Sequence, residues 1–279
     1  MTAAPGAAPG AAAQPNAAPV AGHRHGHDVG EHLYVHRHTP IHLLPPEVKL
    51  VALVAFVFIV VATPVRQVWA FALYAAMLVG IAALARLPAR VVAPRMVVEV
   101  PFLVFAALMP FTGPEPSVEV LGLSLSEAGL WAGFGIVAKG TIGVLGAIIL
   151  AATTPARDLL AGLKTLRVPA TLVQIAAFML RYLHVVGAEM ARMRIARESR
   201  GFEARGVRSW PVLAHSAGTL FIRSYERGER VHLAMLSRGY AGSMPDLDDL
   251  QASRSQWIRG LALPTLALLV CLSAWAVHR

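Results

Sequence analysis

Five apolar stretches constrain this chain more than any other feature. They fall at about 48–63 ("VKLVALVAFVFIVVAT"), 67–85, 96–111, 129–152 and 257–276 ("WIRGLALPTLALLVCLSAWA"). An unpaired backbone group in hydrocarbon is costly, so apolar runs near ~20 residues cross membranes as helices. The first and third runs are short for an untilted span, and the third contains Pro101 and Pro110. Flanking residues or local bilayer thinning make up such a shortfall. Charged residues are only 15% of the chain, against about 25% in soluble domains. The expected fold class is an all-α integral membrane protein of about five transmembrane helices, with a cytoplasmic domain of long helices inserted before the last span.

Loop charge orients these spans. Arg86, Arg90 and Arg95 lie between the second and third, whereas the 112–128 connection has no Lys or Arg and carries Glu115, Glu119 and Glu127. Basic loops remain cytoplasmic. The N-terminus is therefore expected inside, in the cell (cytoplasmic or inner) membrane. The 112–128 loop is expected outside, and the region between spans four and five inside. That region, 155–242, holds 14 Arg or Lys against 6 Asp or Glu, a balance of +8 in a chain whose net charge is +9. The first 22 residues lack a basic n-region and a continuous apolar run, so insertion is expected to be directed by the first span itself. The divisions that follow are a tail over 1–42, a membrane bundle over 43–153, cytoplasmic helices over 154–245, and a linker with the last span over 246–279.

The basic insert reads as three helices. Pro155 and Asp158 open a short one to about 166. Pro169 opens a long one to Arg200, with an apolar stripe at Leu172, Ile175, Met179, Tyr182, Val186, Met190 and Met193. Its first half is apolar nearly all round and is expected within or against the bilayer; Arg192, Arg194 and Arg197 mark the half that emerges. Pro211 opens the third, which runs to Ser237 or Arg238. Leu213, Ala217, Leu220, Ser224, Gly228, Val231 and Met235 form its weaker buried stripe, with Arg223, Glu226, Arg227 and Arg230 opposite and Glu226–Arg230 spaced for an i,i+4 pair. Each long helix thus ends in Ser-Arg-Gly: Ser199-Arg200-Gly201 and Ser237-Arg238-Gly239. Read structurally, the glycines are αL caps and the arginines offset the helix dipole. Read functionally, a cap holds an arginine at an exposed tip where a partner can dock. A further Arg-Gly pair, Arg205-Gly206, reads as loop.

Three strings resemble one family. "IHLLPPEVKLVAL" (41–53), "RIARESRGFEARG" (194–206) and "LFIRSYERGERVHLAMLSRGYAG" (220–242) are similar to the transmembrane (T) component of energy-coupling factor transporters, ABC-type importers of micronutrients. The last string is the most specific, and its spacing of Arg223, Glu226, Arg227, Arg230 and Ser-Arg-Gly resembles the cobalt, CbiQ-type branch. Serine stands in both tips where the family often has alanine. The resemblance implies a coupling subunit in the lipid bilayer, with two ATP-binding cassette ATPase partners and a substrate-binding, CbiM-like membrane partner. Each arginine tip would dock in one ATPase. ATP and magnesium would sit on the partners, with cobalt or nickel as the transported ion and no cofactor bound by this chain. A T component for a vitamin, or a membrane scaffold or channel without an ATPase, are the alternatives.

Other chemistry is absent or ambiguous. "GIVAKGT" (135–141) spaces two glycines as a phosphate loop does, but no lysine directly precedes Thr141. No serine–histidine–acid or HExxH arrangement appears, so the chain reads as non-enzymatic. The arginines lack the interleaved aromatics of single-strand binders, so no nucleic acid is expected. Gly129, Gly133, Gly140, Gly143 and Gly146 suit close helix packing, within the chain or against a partner. Lys139 lies inside an apolar run, as a functional charge or as one satisfied by snorkelling or an internal hydrogen bond. Cys271 suits packing. Seven of the eleven histidines fall within 23–42. Of these, His23, His25, His27, His36 and His38 alternate in a way that suits weak Co²⁺, Ni²⁺ or Zn²⁺ binding, or they form a polar low-complexity tail.

Overall fold

A computed structural model describes residues 34–35, 37, 39–112, 117–120, 123–203, 206–242 and 252–278. Helices dominate: α1 (Pro46–Ala62), α2 (Val68–Leu84), α3 (Ala89–Val92), α4 (Val100–Thr112), α5 (Glu127–Thr153), α6 (Ala156–Thr165), α7 (Ala170–Glu198), α8 (Trp210–Leu236) and α9 (Arg254–His278). A 3₁₀ segment, Ala93–Glu99, joins α3 to α4, so that the third apolar run becomes one 23-residue unit, Ala89–Phe111, long enough to span. Its expected shortness is thereby corrected: Pro94 opens the tighter winding and the helix gains its length on the N-terminal side. Glu127–Thr153, Arg254–Val277 and also Ala170–Glu198, the α7 helix that the sequence reading placed in the insert, are long and apolar enough to cross, whereas α1 and α2 have 17 residues each, about 25 Å at 1.5 Å per residue. The chain is a multi-pass, all-α membrane protein. Its 112–128 connection adds one feature that the loop reading did not contain, a two-stranded antiparallel hairpin of β1 (Ser117–Val120) and β2 (Leu123–Ser126).

The core lies where α1, α2, α5 and α9 meet. Phe56, Val60, Phe71, Tyr74, Leu78, Ile142 and Ile149 are buried there with the small faces of Ala267 and Ala274. Tyr74 is fully buried and packs edge-on against Phe56 and Phe71. Its hydroxyl reaches Thr63 Oγ1 at 3.0 Å and donates to the Ala267 carbonyl at 3.3 Å, so that α1, α2 and α9 are pinned by one phenol. The end of α1 is satisfied by neighbours: Lys139 Nζ donates to the Val61 carbonyl at 2.7 Å and Trp275 Nε1 to the Ala62 carbonyl at 3.2 Å. These are among the last carbonyls of the helix, which have no intrahelical partner. Lys139 therefore takes the internal-hydrogen-bond reading. Cys271 is buried in α9, as packing required.

The glycines of α5 mark a close crossing. A Cβ at Gly133 would lie 2.7 Å from the Ala106 carbonyl oxygen, and one at Gly129 would meet the Met109 carbonyl. The GxxxG pair thus packs on α4 within the chain. Gly146 is filled by Leu53 of α1, while Gly143 faces open space. Two further glycines seat the start of α1: Gly162 of α6 lies against the Glu47 backbone and Gly260 of α9 against Val48. Glu47 itself is buried and accepts from the Ala252 backbone N–H at 3.2 Å. Both ends of the basic insert are therefore tied to α1, through α6 on one side and the approach to α9 on the other.

Candidate functional site

α7 and α8 form an antiparallel pair outside the core. Arg197 donates to Ser216 near one end, Arg223 pairs with Glu189 further along, and Tyr240 donates to Gln174 Oε1 at 2.9 Å near the other. The contacts descend one helix as they climb the other. The C-terminus of α7 therefore lies beside the start of α8, and the C-terminus of α8 beside the start of α7. The two Ser-Arg-Gly tips come to opposite ends of the pair. From Ser216 to Arg238 the rise is about 33 Å at 1.5 Å per residue. Antiparallel packing alone sets the two tips far apart.

The tips are two copies of one construction. At the first, the Gly201 N–H bonds the Glu198 carbonyl at 3.0 Å and the Phe202 N–H the Arg197 carbonyl at 3.1 Å, with Gly201 at φ +77°. At the second, Gly239 bonds Leu236 and Tyr240 bonds Met235, both at 3.0 Å, with Gly239 at φ +83°. This 6→1 and 5→2 pairing is a Schellman motif, which an αL residue makes possible. Ser199 Oγ donates to the Ala196 carbonyl at 3.1 Å and Ser237 Oγ to the Ala234 carbonyl at 3.0 Å, each giving an end carbonyl a further donor. Arg200 and Arg238 are exposed, and among the described residues neither guanidinium has a partner within the chain. Each tip thus presents five N–H donors from a tightly bonded turn.

The supporting residues depart from the expected arrangement. Arg223 does not stand opposite the buried stripe. It meets Glu189 of α7, which also pairs with Arg192. These two guanidiniums hold the Glu189 carboxyl below the usual carboxylate range. Arg223, Glu226, Arg227 and Arg230 all border one groove of about 230 Å³ along α7. Among the described residues no ion pair joins Glu226 to Arg230. The α8 stripe is also shorter than its pattern. Leu220, Ser224, Val231 and Met235 are half-buried, but Leu213, Ala217 and Gly228 are exposed. On α7, Tyr182 and Val186 face α8 across a groove shared with Val231 and Met235, while Leu172, Ile175 and Met179 are more than half exposed. A free apolar surface on that half suits a bilayer or another subunit better than solvent.

The pairing residues Gln174, Glu189, Ser216 and Tyr240 carried little signal in sequence. Glu189 was the most accessible of them, as the only acidic residue in α7 before its last turn. His23, His25, His27, His36 and His38, together with Arg205, lie outside the described residues. His42 has both ring nitrogens engaged, Nδ1 with Thr39 Oγ1 at 2.7 Å and Nε2 with the Val35 carbonyl at 3.1 Å, which leaves no lone pair for a metal. No metal-binding cluster of His, Cys, Asp or Glu occurs among the described residues. The 135–141 string is continuous α5 helix and so cannot wrap a phosphate.

A family-model match covers both tips. The family model CbiQ, described as cobalt transport protein, matches residues 37–247. The cobalt transport protein CbiQ of Rhodobacter capsulatus is 30% identical over 188 residues, covering 67% of this chain and 74% of the relative. The energy-coupling factor transporter transmembrane protein EcfT of Staphylococcus aureus is 28% identical over 232 residues, covering 75% and 84%. An uncharacterised protein of Methanocaldococcus jannaschii is 30% identical over 128 residues, 46% of this chain, and the match spans about half (48%) of that relative's length.

Proposed function

From the premise that this chain belongs to the CbiQ family of cobalt transport proteins, we propose that it is the coupling subunit of an energy-coupling factor importer. Its cargo is cobalt, with nickel the nearest alternative, and the chain itself is non-catalytic. Two ATPase subunits and a substrate-binding, CbiM-like membrane subunit complete the assembly, and the N-terminus and the insert face the cytoplasm. One observation carries this reading: two arginines with no partner among the described residues, on matching Schellman turns, at opposite ends of one helix pair. A single docking site would need one tip. Two equivalent sites at opposite ends of the pair, on the order of 30 Å or more apart, suit two copies of one partner.

In this mechanism each arginine seats in an acidic or carbonyl-lined groove of one ATPase. A guanidinium suits such a groove because its donors are fixed in a planar fork. When ATP draws the two ATPases together, the tips move with them. Arg197–Ser216, Glu189–Arg223 and Gln174–Tyr240 hold α7 and α8 as one lever. The ties of α6 and Ala252 to Glu47 pass the displacement to α1 and the bundle. Arg200→Glu and Arg238→Glu reverse the charge at each tip and leave every helix bond intact. Each is expected to abolish labelled Co²⁺ uptake and to reduce ATPase co-purification, with normal amounts of protein in the membrane. Undiminished uptake by both variants would sink the docking role. Parallel uptake of labelled Ni²⁺ and of vitamins decides the cargo.

A further inference from the structure

The bundle is not closed at the end where the basic insert attaches. α2 and α9 touch where Tyr74 reaches Ala267. Towards that end, both helices border a cavity of about 250 Å³, with Leu84 of α2 and Arg259 of α9 on its rim and Leu53 and Ile149 in its wall. The lining is apolar apart from Lys49, Thr153 and Arg259. Lys49 has spent its three protons on the His42 carbonyl at 3.2 Å, the Thr153 carbonyl at 3.1 Å and Thr154 Oγ1 at 3.1 Å. It contributes positive charge but no donor. Arg259 is exposed and, among the described residues, has no partner. Arg86 follows Leu84 by two positions and adds a second cation at the end of α2.

An apolar slot with a cationic rim, at the end of a membrane bundle, matches the two halves of one molecule. We propose that this cavity binds an anionic phospholipid, with one acyl chain in the slot and the phosphate on Arg259. Basic pockets between spans recognise such headgroups by charge. The volume lies just below the range of ligand-sized pockets. It suits a single hydrocarbon chain and is too small for a protein helix some 10–12 Å across. The site is separate from both arginine tips and does not depend on their role.

The test uses the purified full-length chain in mixed micelles with phosphatidylglycerol or phosphatidylcholine, and lipid retention is read by native mass spectrometry. The wild type is expected to retain phosphatidylglycerol in preference to phosphatidylcholine. Arg259→Gln should lower phosphatidylglycerol retention about fivefold, the worth of one basic side chain at an anionic surface, and leave phosphatidylcholine unchanged. Leu84→Trp, at a position 67% exposed, should narrow the mouth and lower retention of both. The proposal is overturned by equal retention of the two lipids in the wild type, or by wild-type behaviour in either variant. A photo-crosslinker at position 84 that captures a protein in native membranes rather than lipid also overturns it.

Discussion

Replacing Gly239 with alanine isolates what the tip turn requires of the backbone. At φ +83° an L-residue places its Cβ close to the neighbouring carbonyl, at a cost of roughly 1–2 kcal/mol. Nothing lies within 4 Å of a Cβ built at this position, so the penalty is purely conformational and no packing term confuses it. The turn then opens, and the Gly239 and Tyr240 N–H groups lose their 3.0 Å bonds to Leu236 and Met235. Hydrogen exchange of those two amides should accelerate by roughly 5–30-fold, the factor that 1–2 kcal/mol represents. Amides in the middle of α8 should not change. Gly239→Asn should recover a good part of the protection, since asparagine tolerates the left-handed region better than other residues. Gly218→Ala supplies the control of opposite sign. That glycine is also open to solvent but lies within α8, where alanine is favoured by about 1 kcal/mol. In uptake assays Gly239→Ala should lose activity while Gly239→Asn retains more of it. Wild-type exchange in Gly239→Ala would refute the backbone argument. An asparagine variant as inactive as alanine, with its exchange protection restored, would instead mean that the side chain obstructs docking.

Three other outcomes follow from the geometry. Gly133→Leu drives a side chain into the α4 backbone, where even a Cβ would sit 2.7 Å from the Ala106 oxygen; accumulation in the membrane should fall sharply while Gly143→Leu accumulates normally, as immunoblots of membrane fractions would show. Glu189→Gln removes the charge between Arg192 and Arg223, and exchange in the middle of α7 and α8 should rise. Because the folded carboxyl is held below its unfolded value, its contribution is complete above about pH 4.3 and is lost as pH falls through the depressed value. The wild-type and glutamine proteins should therefore differ by a constant amount between pH 6 and 8 and converge in acid. Arg167→Gly should raise thermal stability, because Arg167 holds φ +61° after α6 without being glycine; the gain is about 1 kcal/mol, and an unchanged or lower melting temperature would count against strain at that turn.

Much of this molecule was legible along the chain because membranes and helix ends impose local rules. The five apolar runs appear as helices within a few residues of their expected limits, since hydrocarbon leaves the backbone no other partner. Pro169 and Pro211 opened α7 and α8 as read, and both glycine caps took the αL conformation because the Ser-Arg-Gly strings carry the required residue at the required place. The 3₁₀ extension before α4 and the β1–β2 hairpin were missed. The first has Pro94 at its start, and a proline marks a helix break as readily as the start of a 3₁₀ turn; the second is two four-residue strands, at the lower limit at which the alternation of "SVEV" and "LSLS" marks a strand.

The contacts between helices were not legible in the same way. Periodicity identified a face on α8 but not how much of it would be covered, so Leu213 and Ala217 were assigned to a buried stripe yet are exposed. Arg223 was read as solvent-facing from its position around the helix, whereas Glu189, thirty-four positions earlier, turned it towards α7. What the chain determined alone is the all-α membrane class, the helix ends and the identity of the residues at each tip, all matters of spacing within a turn or of solvent polarity along a run. What tertiary structure decided is that the two tips point apart. Antiparallel pairing of α7 and α8 sends their C-termini to opposite ends, and that direction is set by Arg197 on Ser216, Arg223 on Glu189 and Tyr240 on Gln174, contacts between residues far apart in sequence that no local rule could have matched.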